Sequence, residues 1–232
     1  MTTIASNLQA VRNAIAAAAV KANRAPDDIS LLAVSKTFAH TAIREAYRAG
    51  QTRFAESYVQ EALDKITALN DLPIEWHYIG PIQSNKTRAI AEHFAWVHSV
   101  DRLKIAERLS EQRPMHLPPL QVCLQVNISN ESSKSGVSPG EAAQLAMEVA
   151  QLPQLKLRGL MAIPEPSGDV AARRLSFARL RELREQLNRQ GLQLDTLSMG
   201  MSHDFASAIA EGATMVRVGT AIFGNRTYQK EL

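Results

Sequence analysis

Eight short apolar segments alternate with segments of helical character along the chain, and this alternation constrains the fold more than any other feature. A continuously apolar run of roughly four to eight residues is typical of a strand buried on both faces, as in a parallel sheet. Consecutive parallel strands need long crossover connections, which are usually helices. The pattern predicts strands over 29–35, 53–55, 75–79, 96–100, 120–126, 155–163, 194–198 and 215–218.

The segments between these strands carry the spacing and the end signals of helices. Gly50 follows one of them as a C-terminal cap, and Asp101 is expected to cap the start of another. Ser138 to Glu141 has the form of a capping box, with Pro139 at the first helical position. The predicted helices cover 6–21, 41–49, 58–69, 86–93, 102–112, 139–151, 169–189 and 204–211.

Eight strands alternating with helices in 232 residues favour a single (β/α)8 TIM-type barrel, an α/β fold, over an open doubly wound sheet. Neither a GxGxxG fingerprint nor a P-loop argues for the open sheet. We predict one domain over 1–232. The extra N-terminal helix is expected to pack on the outside of the barrel or to plug its bottom.

Composition restricts the compartment and the partners. The 26 basic and 23 acidic residues are interleaved, and the pair Arg173-Arg174 shares a helix with glutamates, so we expect no nucleic-acid partner. Cys123 is the only cysteine, which excludes an intrachain disulfide and fits a reducing cytoplasm. The apolar run 14–20 is too short to span a bilayer and lacks the basic start of a signal peptide. We expect a cytoplasmic monomer with no membrane partner.

Lys36 stands at the carboxyl end of the first predicted strand. A lysine where a buried strand emerges can lose its proton readily and attack an aldehyde to form a Schiff base. The alternative is a lysine that reaches water or pairs with a carboxylate. In a barrel the functional site lies at the carboxyl ends of the strands, where Ser57 also falls. His77, within the third strand, is predicted to be a ligand contact, and the alternative of a hydrogen-bonded core histidine stays open.

Small and hydroxyl-bearing residues follow the last two strands. Met199, Gly200 and Ser202 come after the seventh strand, and Gly219 and Thr220 after the eighth, and we predict that all five contact the bound ligand. Barrels often bind phosphate at these loops through backbone amides. We expect Gly200 to admit a close ligand, Ser202 to cap the helix that begins near residue 204, and the other pair to supply amides and a hydroxyl. The alternative is that these residues only cap the helix and turn the chain.

A lysine that forms a Schiff base near a phosphate site suggests an aldehyde that carries a phosphate, either pyridoxal phosphate or a phosphorylated aldose. Arg217 favours the first, because a guanidinium beside the pyridine nitrogen would donate a hydrogen bond to it. Its alternative is a structural salt bridge. We expect Cys123 to be a buried, inert thiol. His93 and His98 lack the spacing of metal ligands, so no metal is predicted.

These residues also carry a family resemblance. The segments 32–37, 76–86, 126–128 with 134–136, 159–161, 197–202 and 216–224 match in order, and the chain closely resembles the pyridoxal-phosphate homeostasis proteins, the YggS/PROSC family. The resemblance spans nearly the whole chain. It implies a barrel like the N-terminal domain of alanine racemase, with pyridoxal 5'-phosphate held on Lys36. It also implies that Arg217 faces the pyridine nitrogen and that Ser202, Gly219 and Thr220 hold the phosphate.

One position departs from the family pattern. Ser57 stands where the family usually has an asparagine, so a single hydroxyl replaces an amide near the cofactor.

The family has no established reaction, and its members are thought to bind, buffer and deliver the cofactor. We therefore predict a protein of vitamin B6 homeostasis that is not an enzyme and that has pyridoxal-phosphate-dependent apoenzymes as partners. The alternatives are a racemase-like enzyme of amino acids that uses the same cofactor and a class I aldolase that uses Lys36 on a sugar phosphate.

Overall fold

The strands form a closed barrel. The computed structural model describes residues 3–129, 135–164 and 169–225. Within them eight parallel strands pair in chain order, and β8 returns to β1, with Ser30 opposite Met215. This confirms the predicted fold class. The strands are β1 Ser30–Val34, β2 Arg53–Glu56, β3 Glu75–Tyr78, β4 Trp96–Val100, β5 Leu120–Gln125, β6 Leu155–Met161, β7 Thr196–Met201 and β8 Met215–Val218.

Helices surround the barrel and bury their apolar faces against the outside of the strands, where Phe54, Phe94 and Phe177 lie in the main core. None of the described helices is long and apolar enough to cross a membrane. Short 3₁₀ turns occur at Pro26–Asp28 and Ser84–Lys86. The helices are α1 Ile4–Lys21, α2 His40–Arg48, α3 Val59–Ala68, α4 Thr87–His93, α5 Leu103–Gln112, α6 Ala142–Ala150, α7 Val170–Arg189, α8 Phe205–Ala210 and the unpredicted α9 Thr220–Phe223.

The N-terminal helix α1 packs on the outside of the barrel, as one of the two predicted placements had it. It buries Leu8, Val11 and Ile15 and contacts α2, α8 and α9. The side-chain amide of Asn7 donates to the carbonyl oxygen of Ile222 in α9 at 3.0 Å. Because α9 has only four residues, α1 supplies the apolar cover that a longer helix gives elsewhere around the barrel.

Two predicted helix caps are wrong. Asp101 does not cap α5, because its carboxylate accepts from the neighbouring Arg102 at 2.8 Å instead. The segment Ser138–Glu141 is a turn that precedes α6, and its serine hydroxyl donates to the glutamate carboxylate rather than accepting from the helix backbone. In both cases a nearby side chain provides a stronger, charge-assisted partner than the backbone amide.

The interior of the barrel contains several polar side chains. Successive strand residues point alternately inward and outward, which turns His77, His98, Ser198 and Arg217 inward. The two histidines and the serine have no exposed surface, and Arg217 is 4% exposed. Polar groups buried this deeply need hydrogen-bond partners, so they find them in one another.

Candidate functional site

A cavity of about 230 Å³ opens at the carboxyl ends of the strands, where a barrel is expected to carry its site. It brings together most of the predicted site residues from β1, β2, β7 and β8. Its lining comprises Val34, Lys36, Ser57, Ile79, Met161, Ile163, Met201, Ser202, His203, Arg217, Gly219 and Thr220. The apolar members escaped sequence analysis, although Ile79 could have been found as the inward-facing residue two positions after His77.

Lys36 lies two residues after the end of β1 and is half-buried at the cavity. The backbone on either side of it is held firmly. The amide of Ser35 donates to the carbonyl oxygen of Ala55 at 3.0 Å, and the amide of Thr37 donates to the Glu61 carboxylate at 2.6 Å. Thr37 has a φ of 70°, a left-handed conformation that is rare for a β-branched residue and persists only when its surroundings enforce it.

A buried ion pair beneath this segment was not predicted from the sequence. Lys65 donates to the Glu56 carboxylate at 2.7 Å and to the carbonyl oxygen of Ser35 at 2.8 Å, and it also contacts Glu61. The Ser35 hydroxyl donates to the same oxygen of Glu56 at 2.7 Å, and burial raises the pKa of Glu56. The cluster therefore ties α3 to the backbone on both sides of Lys36. Its only sequence signal is a glutamate at the end of an apolar strand.

The loops after β7 and β8 bring Ser202, Gly219 and Thr220 to one side of the cavity. Ser202 does not cap α8 as predicted. Asp204 occupies the N-cap position, and its carboxylate accepts from the backbone amide of Met201 at 2.6 Å. No side-chain hydrogen bond from the described residues caps α8, and Ser202 lines the cavity instead.

Gly200 and Met199 do not line the cavity in the described part of the chain. Gly200 has a φ of 93°, and a Cβ atom there would lie 2.6 Å from Cβ of Ala208, so close packing against α8 requires glycine. Met199 is fully buried in the main core. The structure therefore gives both residues a role in placing the β7 loop, and their predicted cofactor contact stays a prediction.

Arg217 forms the inner wall of the cavity. One terminal nitrogen donates to the carbonyl oxygen of Ser198 at 2.6 Å and to its hydroxyl at 2.8 Å, and the other donates to the carbonyl oxygen of Ala162 at 3.0 Å. Burial lowers the pKa of Arg217 to about 10, so the guanidinium stays cationic at neutral pH. Among the described residues no carboxylate forms a salt bridge with it, which sets aside the alternative of a structural salt bridge.

His77 lies in the barrel interior and not on the cavity, among the described residues. Its Nδ1 is 2.9 Å from Nε2 of His98, and its Nε2 is 2.9 Å from the Glu75 carboxylate. Both ring nitrogens are thus engaged, which supports the interpretation of His77 as a hydrogen-bonded core histidine. Cys123 is buried, and desolvation raises the pKa of its thiol to about 12, as expected of an inert cysteine. No group of three potential metal ligands occurs in the described ranges.

The buried histidines predict a loss of stability in acid. Desolvation lowers the pKa of His77 and lowers that of His98 further, whereas an unfolded histidine titrates near 6.5. The unfolded chain therefore binds more protons as the pH falls below about 6.5, and each histidine can remove up to about 1.4 kcal/mol of unfolding free energy per pH unit. Above that pH the contribution is fully present.

Because Glu56 has a raised pKa and acts in the opposite sense, the histidines must be followed individually. Proton NMR of the ring C–H signals is expected to show both histidines of the folded protein titrating below the usual pKa near 6.5, and His98 further below it than His77. Denaturant unfolding should show the stability falling from pH 7 to pH 5.5. A His116→Gln variant, which changes an exposed histidine, is expected to keep the same pH dependence. Protonation of either buried ring at or above pH 6.5 would contradict the prediction.

Comparison with known proteins gives consistent results. The family model described as "Alanine racemase, N-terminal domain" matches residues 3–227. The pyridoxal phosphate homeostasis protein of Pseudomonas aeruginosa is 63% identical over 228 residues, with 98% of each chain covered. The protein of the same name from Escherichia coli K12 is 53% identical over 235 residues, with 100% of each chain covered.

Solved structures show the same fold. PipY of Synechococcus elongatus with pyridoxal phosphate bound has a TM-score of 0.84 and 40% identity, and the match covers 96% of this chain and 100% of PipY. Alanine racemase of Clostridium difficile has a TM-score of 0.74 at 15% identity, and the match covers 96% of this chain and 58% of the racemase. The likeness to the racemase shows the fold alone.

Proposed function

Because the chain belongs to the family of pyridoxal phosphate homeostasis proteins, we propose that it binds pyridoxal 5'-phosphate in the cavity at the carboxyl ends of its strands and holds it as a Schiff base on Lys36. The observation that carries the proposal is the joint position of an amine, hydroxyls and a guanidinium around one cavity of about 230 Å³. These groups match an aldehyde, a phosphate and a pyridine nitrogen.

Lys36 provides the covalent link. Its amine would hold the cofactor, since a lysine amine condenses with an aldehyde to a carbon–nitrogen double bond and the aldehyde oxygen is released as water. The rigid backbone on both sides of Lys36, held by Glu61 and Lys65, limits the positions that the amine can reach. Such restriction lowers the entropic cost of forming the link.

The phosphate is proposed to lie against Ser202, Gly219 and Thr220. Gly219 lets the loop after β8 lie close to β1, because a Cβ atom there would lie 3.0 Å from the carbonyl oxygen of Val34. Barrels often bind phosphate through donors in the loops after the last two strands. Here Ser202 and Thr220 would supply hydroxyls, and the loop after β8 would supply backbone amides. Ser57 lines the cavity as well, in the position that the family usually fills with an asparagine.

Arg217 is proposed to donate to the pyridine nitrogen. It donates three hydrogen bonds to protein oxygens, and a guanidinium has five N–H donors, so donors remain for the cavity that it lines. A permanent cation at this place keeps the nitrogen an acceptor and weakens the ring as an electron sink. This suits a protein that stores the cofactor better than one that uses it, and the curated relatives are named for homeostasis without naming a reaction.

We further propose that the protein acts in the cytoplasm as a monomer, retains the cofactor and passes it to apoenzymes that depend on it. The test of the binding proposal is direct. The purified protein loaded with pyridoxal phosphate should absorb visible light, and borohydride should bleach it while fixing the cofactor to the chain. A protein that is colourless after incubation with the cofactor and removal of the unbound excess would overturn the proposal, and a reaction with sugar phosphates would favour the aldolase.

Removing the hydroxyls of Ser202 and Thr220 together is expected to weaken cofactor retention without preventing the link to Lys36 at high cofactor concentration. Each charge-assisted hydrogen bond is worth on the order of 1.5–3 kcal/mol, so the double alanine variant should bind at least roughly 10²-fold more weakly. Equilibrium titration measures this. The matched control is Thr41→Ala with Ser207→Ala, whose hydroxyls do not line the cavity. Equal affinity in both double variants would place the phosphate elsewhere.

A further inference from the structure

A continuous chain of hydrogen bonds crosses the barrel interior from its floor to the cavity. Its four contacts join Glu75 Oε1 to His77 Nε2 at 2.9 Å, His77 Nδ1 to His98 Nε2 at 2.9 Å, His98 Nδ1 to Ser198 Oγ at 2.8 Å, and Ser198 Oγ to Arg217 Nη1 at 2.8 Å. The residues come from β3, β4, β7 and β8. The proposed function uses only the last of them.

The end groups determine the direction of every bond. A carboxylate only accepts and a guanidinium only donates. Glu75 therefore requires a proton on Nε2 of His77, which leaves Nδ1 of a neutral ring as an acceptor. His98 must then donate to it from Nε2 and accept at Nδ1 from the Ser198 hydroxyl. That hydroxyl directs its proton away from Arg217 and presents a lone pair to the guanidinium.

The two ends of the chain differ in their surroundings. His77, His98 and Ser198 are fully buried, whereas the side chain of Glu75 is 40% exposed. Glu75 faces a hollow of about 730 Å³ at the amino ends of the strands, on the opposite side of the barrel from the cavity. There it also accepts from Arg53 at 3.0 Å. The Glu75 carboxylate is thus in contact with solvent, whereas the side chains of His77, His98 and Ser198 are not.

We propose that Glu75 is a positioning residue for the cofactor site, which acts through His77, His98 and Ser198 to fix the hydrogen bond that Arg217 donates to the Ser198 hydroxyl oxygen. The effect of Glu75 on the cofactor rests on the proposed function, whereas the positions of the protons on His77 and His98 do not. Without the Glu75 carboxylate, no other group in this series of hydrogen bonds requires a proton on Nε2 of His77. The rings can then reverse, with His98 donating from Nδ1 to the serine oxygen, which competes with Arg217 for that oxygen.

The protonation pattern is tested first in the protein without cofactor. Nitrogen-15 NMR of labelled histidine should show both His77 and His98 as Nε2–H tautomers at neutral pH. In Glu75→Leu the Nδ1–H tautomer should appear in both rings. Arg53→Met removes the partner of Glu75 at the floor but no member of the chain, and it should keep the original tautomers. A Nδ1–H tautomer in the unaltered protein, or unchanged tautomers in a folded Glu75→Leu, would overturn the proposal.

A second variant separates the effect of the chain from the effect of charge. Ser198→Ala changes no charge and leaves Arg217 bonded to the carbonyl oxygens of residues 198 and 162. In the loaded protein both Ser198→Ala and Glu75→Leu should shift the pH midpoint of the visible absorption by at least ~0.3 pH unit, since the guanidinium is less firmly held in each. Ser198→Ala also serves if Glu75→Leu does not fold. A midpoint unchanged in Ser198→Ala would show that Arg217 does not depend on the chain.

The two proposals fail separately. A protein that binds no pyridoxal phosphate but shows the expected tautomers would refute the proposed function and leave the order of the chain intact. A protein that binds the cofactor on Lys36 but shows other tautomers would refute only the role of Glu75.

Discussion

Lys36→Ala is expected to abolish covalent attachment of pyridoxal phosphate while the barrel stays folded. The side chain is half-buried at the edge of the cavity, and the backbone around it is held by other groups, so the free energy of unfolding should change by no more than about 1 kcal/mol. Without the amine no carbon–nitrogen bond can form, and residual binding depends on the phosphate and ring contacts alone.

The measurement is mass spectrometry of the loaded protein after borohydride reduction. The unaltered chain should carry one cofactor adduct that maps to Lys36, and the variant should carry none at the same cofactor concentration. Lys86→Ala is the matched control, because Lys86 is an exposed lysine that also follows the carboxyl end of a strand. A principal adduct on any other lysine would refute the assignment of Lys36.

Lys65→Met is expected to cause the largest loss of stability among single changes near the site. Lys65 is 5% exposed, and its ammonium is the charge partner of the fully buried Glu56. Removing one member of a buried ion pair typically costs about 3–5 kcal/mol, because the other charge is left without compensation. One oxygen of Glu56 already has no hydrogen-bond partner among the described residues, which increases its dependence on Lys65.

The loss of unfolding free energy in Lys65→Met should also depend on pH, and it should grow as the pH rises. Burial raises the pKa of Glu56, and removal of Lys65 takes away the main opposing influence. The folded variant then binds a proton that the unfolded chain releases above about pH 4.5, so its stability falls as the pH rises beyond that value. Denaturant unfolding at pH 5 and pH 8 should show the larger deficit at pH 8.

Two further variants test this explanation. Lys104→Met, which changes an exposed lysine on α5, should alter the free energy of unfolding by less than about 0.5 kcal/mol. The double variant Glu56→Gln with Lys65→Met should be more stable than the sum of the single changes predicts, because no buried charge remains. Strict additivity would show that the two side chains do not act as a pair.

The predictions that succeeded from the sequence concern patterns within a few neighbouring residues. The strands Trp96–Val100 and Met215–Val218 have the predicted bounds, since their apolar runs end at clear polar or glycine boundaries. The sixth strand ends two residues earlier than predicted, at Met161, and the seventh runs three residues further, to Met201. There the pairing with the neighbouring strands, and not the local composition, sets the ends.

The site residues also divide into those that local sequence patterns could place and one that they could not. Lys36, Ser57, Ser202, Arg217, Gly219 and Thr220 could be placed at the cavity because each follows or ends a strand, and a parallel barrel brings all such ends to one face. His77 could not be assigned, because the sequence does not say what its inward-facing ring meets. Its partner His98 is on the next strand of the barrel, 21 residues further along the chain.

The number and approximate positions of the strands, the barrel and the lysine after β1 could be predicted from the sequence, because the spacing of apolar residues is a local property of a chain. The polar groups that meet inside the barrel became known from the three-dimensional structure, because they lie far apart along the chain. His98 meets Ser198 across 100 residues of chain, and Lys65 meets the carbonyl oxygen of Ser35 across 30. Such contacts depend on the register between the strands of the closed sheet. A pattern of residues along the chain does not show which distant residues that register brings together.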